Sequence, residues 1–225
     1  MAFTRLVFVI MAKDLRAELR TKEAVNASLA FAVVILVLLS FVVESNDVPT
    51  PVLGSLLWLV FAFAGTLVLN RSFAREIPND CLDALIAAPI SGAALFLGKC
   101  LANFVLVLAV ELVALPVFGI FYNVRWTQQF WQLMLVVVLG TWGVTIIGTV
   151  FSALTVNIRL REVMLPMLTY PLLLPALLAA MELTASLVSG SPIAGDTVTW
   201  LKFLFGFDVL FTAATVTLVE FILVG

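Results

Sequence analysis

The chain has 225 residues, of which 63% are hydrophobic and 12% are charged, and its formal net charge at pH 7 is −2. This composition, with a mean hydropathy of +1.19, excludes a soluble domain and indicates one integral membrane domain that comprises residues 1–225. Nothing in the charge pattern indicates a nucleic-acid partner, and we expect the apolar surface to contact membrane lipid.

The first 23 residues predict an amphipathic helix. The apolar run Leu6–Ala12 is too short for a cleavable signal, and the charged stretch KDLRAELRTKE follows it. Met11, Leu15 and Leu19 form one row along the helix, while basic side chains occupy another. We expect this helix to lie in the membrane interface. The alternative is a solvated helix whose basic charges only fix the topology.

Six long apolar segments follow, and each has the roughly 20 residues that a helix needs to cross about 30 Å of hydrocarbon. They comprise residues 24–43, 48–70, 100–124, 126–158, 163–195 and 203–225. Ten of the twelve Lys and Arg residues precede the first segment or lie in the second and fourth connections. The other two, Arg125 and Lys202, lie on the opposite side, so the positive-inside rule predicts that both termini are cytoplasmic.

The second connection, residues 71–99, is the longest stretch that reads as neither a span nor a simple turn. Between Pro78 and Pro89, apolar residues recur at helical spacing on a helix of about two to three turns, which is too short to be stable alone. The stripe must therefore pack on a partner protein or, in the alternative interpretation, on the bilayer surface. Mixed charges beside the stripe favour a protein partner. The predicted docking surface comprises Arg71, Arg75, Glu76, Asp80, Leu82, Asp83, Leu85, Ile86 and Ile90.

Four carboxylates fall inside the predicted spans, where a charge at the bilayer centre costs about 2.5 to 3.5 kcal/mol. Glu111 and Glu182 should therefore face protein or water, or stay protonated. They are either polar elements of a translocation path or of a lock between protomers, or packing pairs with Ser or Thr. Asp208 and Glu220 are expected nearer the interfaces.

Two patterns predict how the later spans pack. Prolines break the hydrogen-bond ladder of the fifth span and predict a kink, which is either a hinge or a matter of shape; they are Pro166, Pro171 and Pro175. Glycines in the fourth span predict the close approach of a neighbouring helix; they are Gly140, Gly143 and Gly148.

The chain contains no histidine, which excludes imidazole as a metal ligand or a general base. No Walker A, dinucleotide-binding or nucleophile-elbow pattern occurs. We therefore expect no enzymatic activity, no catalytic residue, no metal site and no cofactor held by this chain.

Motifs spread over nearly the whole chain carry a family resemblance. They are the N-terminal KDLRAELRTKE; Trp58, Asn70, Arg71, Phe73 and Glu76 followed by LDALIAAPISGAALFLGK; REVMLPMLTYPLLLPALLAAMELTASL with Glu162 and Glu182; and the final Phe207, Asp208 and Glu220. This order resembles the CcmB family of cytochrome c maturation permeases, also called heme exporter protein B, which are ABC-transporter membrane subunits. Asp83 stands where family members often carry Gly.

The resemblance implies an all-α permease of the ABC-2 type with six transmembrane helices, an N-terminal interfacial helix and a short cytoplasmic coupling helix between helices two and three. It implies a homodimer in the cytoplasmic (inner) membrane of a bacterium or archaeon, with a separate CcmA-like ATPase that binds ATP. CcmC-like and CcmD-like membrane proteins and a CcmE-like heme chaperone are the other implied partners. ATP hydrolysis then drives heme export or release of the heme-loaded chaperone. Heme is the cargo in this scheme, and its iron is ligated by the partners.

Two other functions fit the same residues. One is an ABC-2-type exporter permease for a lipid, glycan or drug, and the other is a proton-coupled carrier without an ATPase that uses Glu111 and Glu182. An ATPase docked on residues 76–92 distinguishes the first two functions from the carrier. Gene neighbourhood distinguishes cytochrome c maturation from export of another cargo.

Overall fold

The computed structural model describes residues 3–45, 48–76, 91–124, 126–156, 158 and 160–224, without the side chains of residues 44, 45, 50, 126, 127 and 220–224. Within these ranges the chain is all-helical and contains no strand. The α-helices are α1 (Phe3–Thr21), α2 (Glu23–Ser45), α3 (Thr50–Leu69), α4 (Gly92–Phe121), α5 (Phe130–Thr155), α6 (Arg161–Val188) and α7 (Thr197–Val224), and short 3₁₀ turns lie at Ala74–Glu76 and Trp126–Gln129.

Helices α2 to α7 are long and apolar enough to cross a membrane. This confirms the prediction of six spans, and the chain is a multi-pass membrane protein. The predicted starts of two spans are wrong, because the prediction began each of these spans at the first residue after a lysine. Helix α4 begins at Gly92 and carries Lys99 inside it, and α7 begins at Thr197 and carries Lys202 inside it. Residues 92–99 therefore belong to α4 and not to a connection.

Helix α1 packs against α4 through only part of the predicted row. Val7 and Ile10, which were not part of the predicted row, are buried, and Leu15 packs against the cluster of Val68, Leu106 and Val107, whereas Leu19 is 65% exposed. A Cβ added at Gly98 of α4 would lie 2.7 Å from the Cβ of Ile10, so the two helices are in close contact. Leu19 remains available to a bilayer surface, and the interfacial position of α1 stays a prediction.

Helix α5 lies at the centre of the bundle, where its glycines meet large neighbours. The ring of Trp58 in α3 lies against Gly140, and Leu69 lies against Gly148. Added Cβ atoms there would come within 2.0 Å and 2.4 Å of those side chains. Trp58 is fully buried, and its Nε1 donates a 2.8 Å hydrogen bond to Thr184 of α6. The predicted close approach is thus confirmed, and one indole joins three helices.

Helix α6 continues through all three of its prolines, Pro166, Pro171 and Pro175. Membrane-spanning helices tolerate proline because neighbouring groups satisfy the freed carbonyls. The broken hydrogen-bond ladder therefore does not end the helix.

Candidate functional site

Six charged side chains meet at the end of the bundle where α3 ends and α4 begins. We call this group the ionic cluster. It comprises Lys13, Asp14 and Glu18 of α1, Arg75 and Glu76 of the 3₁₀ turn, and Lys99 of α4.

Lys99 lies at the centre of the ionic cluster and is only 1% exposed. Its Nζ lies 3.0 Å from Glu76 Oε1 and 3.2 Å from Asp14 Oδ2. It also donates a 3.3 Å hydrogen bond to the carbonyl of Ser72 and lies 4.8 Å from the ring centroid of Phe73. A buried ammonium is tolerated only when opposite charges and acceptors surround it, and Lys99 has both.

Lys13 joins α1 to the same carboxylate. It donates a hydrogen bond to Glu76 Oε1, and its Nζ lies 3.1 Å from Asp14 Oδ1. Burial alone lowers the pKa of Lys13, but the hydrogen bond to Glu76 and the charge of Asp14 outweigh burial and raise the pKa above its ordinary value. Lys13 is therefore charged at neutral pH, and Glu76 Oε1 accepts from two ammonium groups.

Glu18 binds the chain on two sides. It is 1% exposed, accepts a hydrogen bond from Arg75, and accepts a 2.9 Å hydrogen bond from the backbone N–H of Val25. The N–H groups of the first turn of a helix have no partner within the helix, and the carboxylate of Glu18 satisfies one of them in α2. Only Lys22, at φ +54°, separates α1 from α2.

The ionic cluster contains three cations and three carboxylates and brackets the predicted coupling segment. Glu76 directly precedes residues 77–90, and Lys99 follows them by little more than two helical turns. Both residues bind α1, so ion pairs join α1 to the chain before and after the segment.

The predicted docking residues divide into two groups. Arg75 and Glu76 turn towards α1, and Arg71 pairs with the exposed Glu23 at 2.5 Å. Asp80, Leu82, Asp83, Leu85, Ile86 and Ile90 lie outside the described residues. Lys13, Asp14, Glu18 and Lys99 were not predicted to form ion pairs with Arg75, Glu76 or one another, because the basic N-terminal charges were assigned to topology. The available signal was Lys99, a lone cation directly before an apolar run.

A cavity of about 370 Å³ lies beside the ionic cluster. Its lining is charged on one side and apolar on the other, where Val68 and Leu106 contribute. Asn103 closes one wall through 2.9 Å hydrogen bonds to Ser72 Oγ and to Thr149 Oγ1 of α5. Polar contacts thus continue from the cluster into the α4–α5 interface.

Two carboxylates are buried within the spans. Glu111 of α4 is 1% exposed and accepts a hydrogen bond from Thr141 of α5, as the packing alternative predicted. Asp208 of α7 is 4% exposed, and neither of its oxygens has a hydrogen-bond partner among the described residues. A Cβ added at Gly143 would lie 2.9 Å from Asp208 Oδ1, so the glycine makes room for the carboxyl group.

The structure corrects one prediction about these carboxylates. Asp208 does not lie near an interface, because α7 begins at Thr197 and places it about 16 Å along the helix. Glu182 is exposed on α6, and its role stays a prediction. The side chain of Glu220 is not described.

Comparison with known proteins identifies similar chains. A family profile described as CcmB protein matches residues 5–224. Heme exporter protein B of Rhodobacter capsulatus is 30% identical over 213 residues, which cover 94% of each chain. Heme exporter protein B of Paracoccus denitrificans is 27% identical with the same coverage, and that of Pseudomonas aeruginosa is 25% identical over 90% of this chain and 86% of the relative.

Proposed function

This chain belongs to the CcmB family, and we propose that it is the membrane subunit of an ATP-driven complex that exports heme or releases a heme-loaded chaperone for cytochrome c maturation. The observation that carries this proposal is the family match over residues 5–224, together with relatives named Heme exporter protein B over 94% of both chains. The chain is the permease, and the ATPase is a separate CcmA-like protein.

The ionic cluster supports a mechanism for coupling. An ATPase that moves residues 77–90 pulls on Glu76 at one end and on α4 at the other. Both ends bind α1 through Lys13 and Asp14. The segment is therefore attached to a three-helix unit, and α1 carries its displacement along the membrane surface.

The ATPase docks on the apolar stripe from Leu82 to Ile90. Arg75 and Glu76 belong to the predicted docking surface, but α1 already engages both side chains. Their part in coupling is to fix the base of the segment. Arg71, whose pair with Glu23 is exposed, remains the basic residue at the rim of the docking surface.

The complex lies in the cytoplasmic membrane and contains two copies of this chain and two ATPase subunits, with both termini on the cytoplasmic side. CcmC-like and CcmD-like proteins ligate the heme, and a CcmE-like chaperone receives it. This chain has no histidine and acts as a mechanical transducer. An optical titration that shows ligated heme in the purified subunit alone would contradict this assignment.

Leu85→Asp tests the coupling role. The charge disrupts the apolar stripe without entering a membrane span. We expect the variant chain to accumulate in the membrane at the normal level while the complex loses cytochrome c maturation and ATPase stimulation. Leu85→Met is the matched control, because it keeps volume and polarity, and it should retain activity. Normal maturation with Leu85→Asp would contradict the docking assignment.

Cross-linking from Cys81 tests contact directly. A thiol-directed bifunctional reagent should join this chain to the ATPase, and the yield should change with nucleotide. A Cys81→Ser chain is the control.

Deletion of the gene tests the cargo. Loss of cytochrome c maturation after deletion identifies the maturation pathway, whereas normal maturation favours the exporter of another cargo. An active complex that purifies without an ATPase supports the proton-coupled carrier.

A further inference from the structure

Two opposite charges lie unpaired on the outside of neighbouring helices, at the end of the bundle away from the ionic cluster. Glu182 of α6 and Lys202 of α7 are both exposed and lie within candidate membrane spans. Neither has an ion pair or a hydrogen bond with another described residue. Exposed Leu and Phe side chains are ordinary on a surface that faces lipid, but exposed charges are not.

The two charges lie at matching depth. Glu182 precedes the end of α6 at Val188 by six residues, and Lys202 follows the start of α7 at Thr197 by five. At 1.5 Å per residue these positions are about 9 Å and about 7.5 Å from the same end of the bundle. A long lysine reaches towards the interface more easily than a glutamate does. Glu182 is therefore the group that most needs a partner.

Glu182 lies on the same face of α6 as Pro171 and Pro175, which line an apolar groove between α6 and α7. Phe203, Gly206 and Leu210 line this groove of about 470 Å³ on the α7 side. Lys202 lies one helical turn before Gly206, on an exposed stripe with Phe205 and Val209, which are 58% and 52% exposed. A pair within one chain would have to cross the mouth of the groove.

We infer that a second copy of this chain packs on the outer face of α6 and α7, so that Glu182 of each copy binds Lys202 of the other. A two-fold axis along the membrane normal keeps each residue at the same membrane depth in both copies. Every contact of residue i with residue j then occurs twice. Charges of opposite sign at equal depth on adjacent helices meet this requirement. The grooves of the two copies then face each other at the axis. This inference names the contact face of the two-copy arrangement under the proposed function and rests on that arrangement.

Cysteine cross-linking between differently tagged chains tests the face. One tagged chain carries Glu182→Cys and the other Lys202→Cys, and they are expressed together with the rest of the complex so that the second Glu182–Lys202 pair stays intact. Oxidation in isolated membranes should give a disulfide-linked pair that contains both tags. The matched control replaces Lys202→Cys with Leu38→Cys on α2, which is 56% exposed and should give only background.

Charge reversal gives the second measurement. Glu182→Lys alone should reduce the recovery of one tagged copy with the other about tenfold, and Glu182→Lys combined with Lys202→Glu should restore it. Restoration without any cross-link between chains would mean a pair within one chain and would overturn the inference. Cross-linking through Leu38→Cys would also overturn it, while leaving two copies and the proposed function in place. A maturation-competent complex with a single copy would overturn both the two-copy arrangement and the face.

Discussion

Charged groups have oppositely charged partners in the ionic cluster, whereas the buried carboxylates of the spans have none within the part of the chain that the structure describes. In the cluster every cation has a carboxylate within 4.0 Å, and Lys13 and Lys99 each have two. Only Glu76 Oε2 accepts no hydrogen bond among the described carboxylate oxygens that are buried there. In the spans, Glu111 has one threonine hydroxyl, and Asp208 has no partner among the described residues. Pairing of opposite charges is expected of groups that hold a structure together. An acid that is buried without a partner contributes nothing to packing and needs another reason to be present.

Among the substitutions that test this contrast, removal of Lys99 should cause the largest loss in the free energy of unfolding. Lys99→Met keeps the volume but leaves Asp14 and Glu76 without their central cation. Breaking a buried ion pair from one side costs about 3 to 5 kcal/mol, and we expect a loss of that size in the free energy of unfolding. Denaturant titration of the purified chain in detergent measures it. Arg20→Ala, at an exposed position of α1, is the control and should stay within about 0.5 kcal/mol. Equal free energies of unfolding for Lys99→Met and the unchanged chain would contradict a stabilising role of the ionic cluster.

Glu18→Gln should cost less. The amide oxygen still accepts from Val25, but Arg75 loses its charge partner. Hydrogen bonds to charged groups contribute about 1.5 to 3 kcal/mol, so we expect a loss in that range by the same titration. Glu23→Gln is the matched control because the Glu23–Arg71 pair is exposed, and exposed pairs contribute about 0 to 1 kcal/mol. Identical losses in the two variants would mean that burial of the ionic cluster has no energetic consequence.

Asp208→Asn should separate stability from function. Asp208 has no described hydrogen bond to lose, and we expect the free energy of unfolding to stay within about 1 kcal/mol. We expect cytochrome c maturation to fall, because an amide cannot bind and release a proton as the carboxyl group can. The measurement pairs denaturant titration with the yield of holocytochrome c. A stable and fully active variant would show that the acid is dispensable.

Glu111→Gln should have the smallest effect. Glutamine can accept the single hydroxyl proton of Thr141, or it can donate its amide N–H to Thr141 Oγ1 while that proton goes to the carbonyl of Val137, 2.6 Å away. Neutral substitution of a hydrogen-bonded buried acid should change stability by less than about 1 kcal/mol. Stability and holocytochrome c yield should both stay near those of the unchanged chain. A maturation defect equal to that of Asp208→Asn would place both acids in one functional unit.

The length of the charge-free apolar segments was sufficient to predict the six spans, because a helix that crosses a bilayer needs about 20 predominantly apolar residues. The glycines of α5 were also read correctly, since a missing Cβ has few uses other than close approach. The start of α4 was predicted wrongly, because a cation was assumed to end a span. Lys99 is buried inside its helix because Glu76 and Asp14, the latter 85 residues earlier, compensate its charge.

The ionic cluster itself could not be predicted from one sequence. The pairs that join α1 to the rest of the cluster are separated by 57 to 85 residues, and local spacing carries no information about such pairs. Glu182 is exposed on α6, and the partner that the sequence predicts for it stays a prediction. The stripe from Leu82 to Ile90 lies outside the described residues, so its docking role stays a prediction.

The indole of Trp58 limits how this bundle can change shape. Its ring fills the space that Gly140 leaves on α5, and its N–H is held by Thr184 of α6. Sliding α5 along α3 by one residue, about 1.5 Å, would press a Cβ or a larger side chain into that ring. The contacts of Trp58 therefore resist sliding of α3, α5 and α6 against one another.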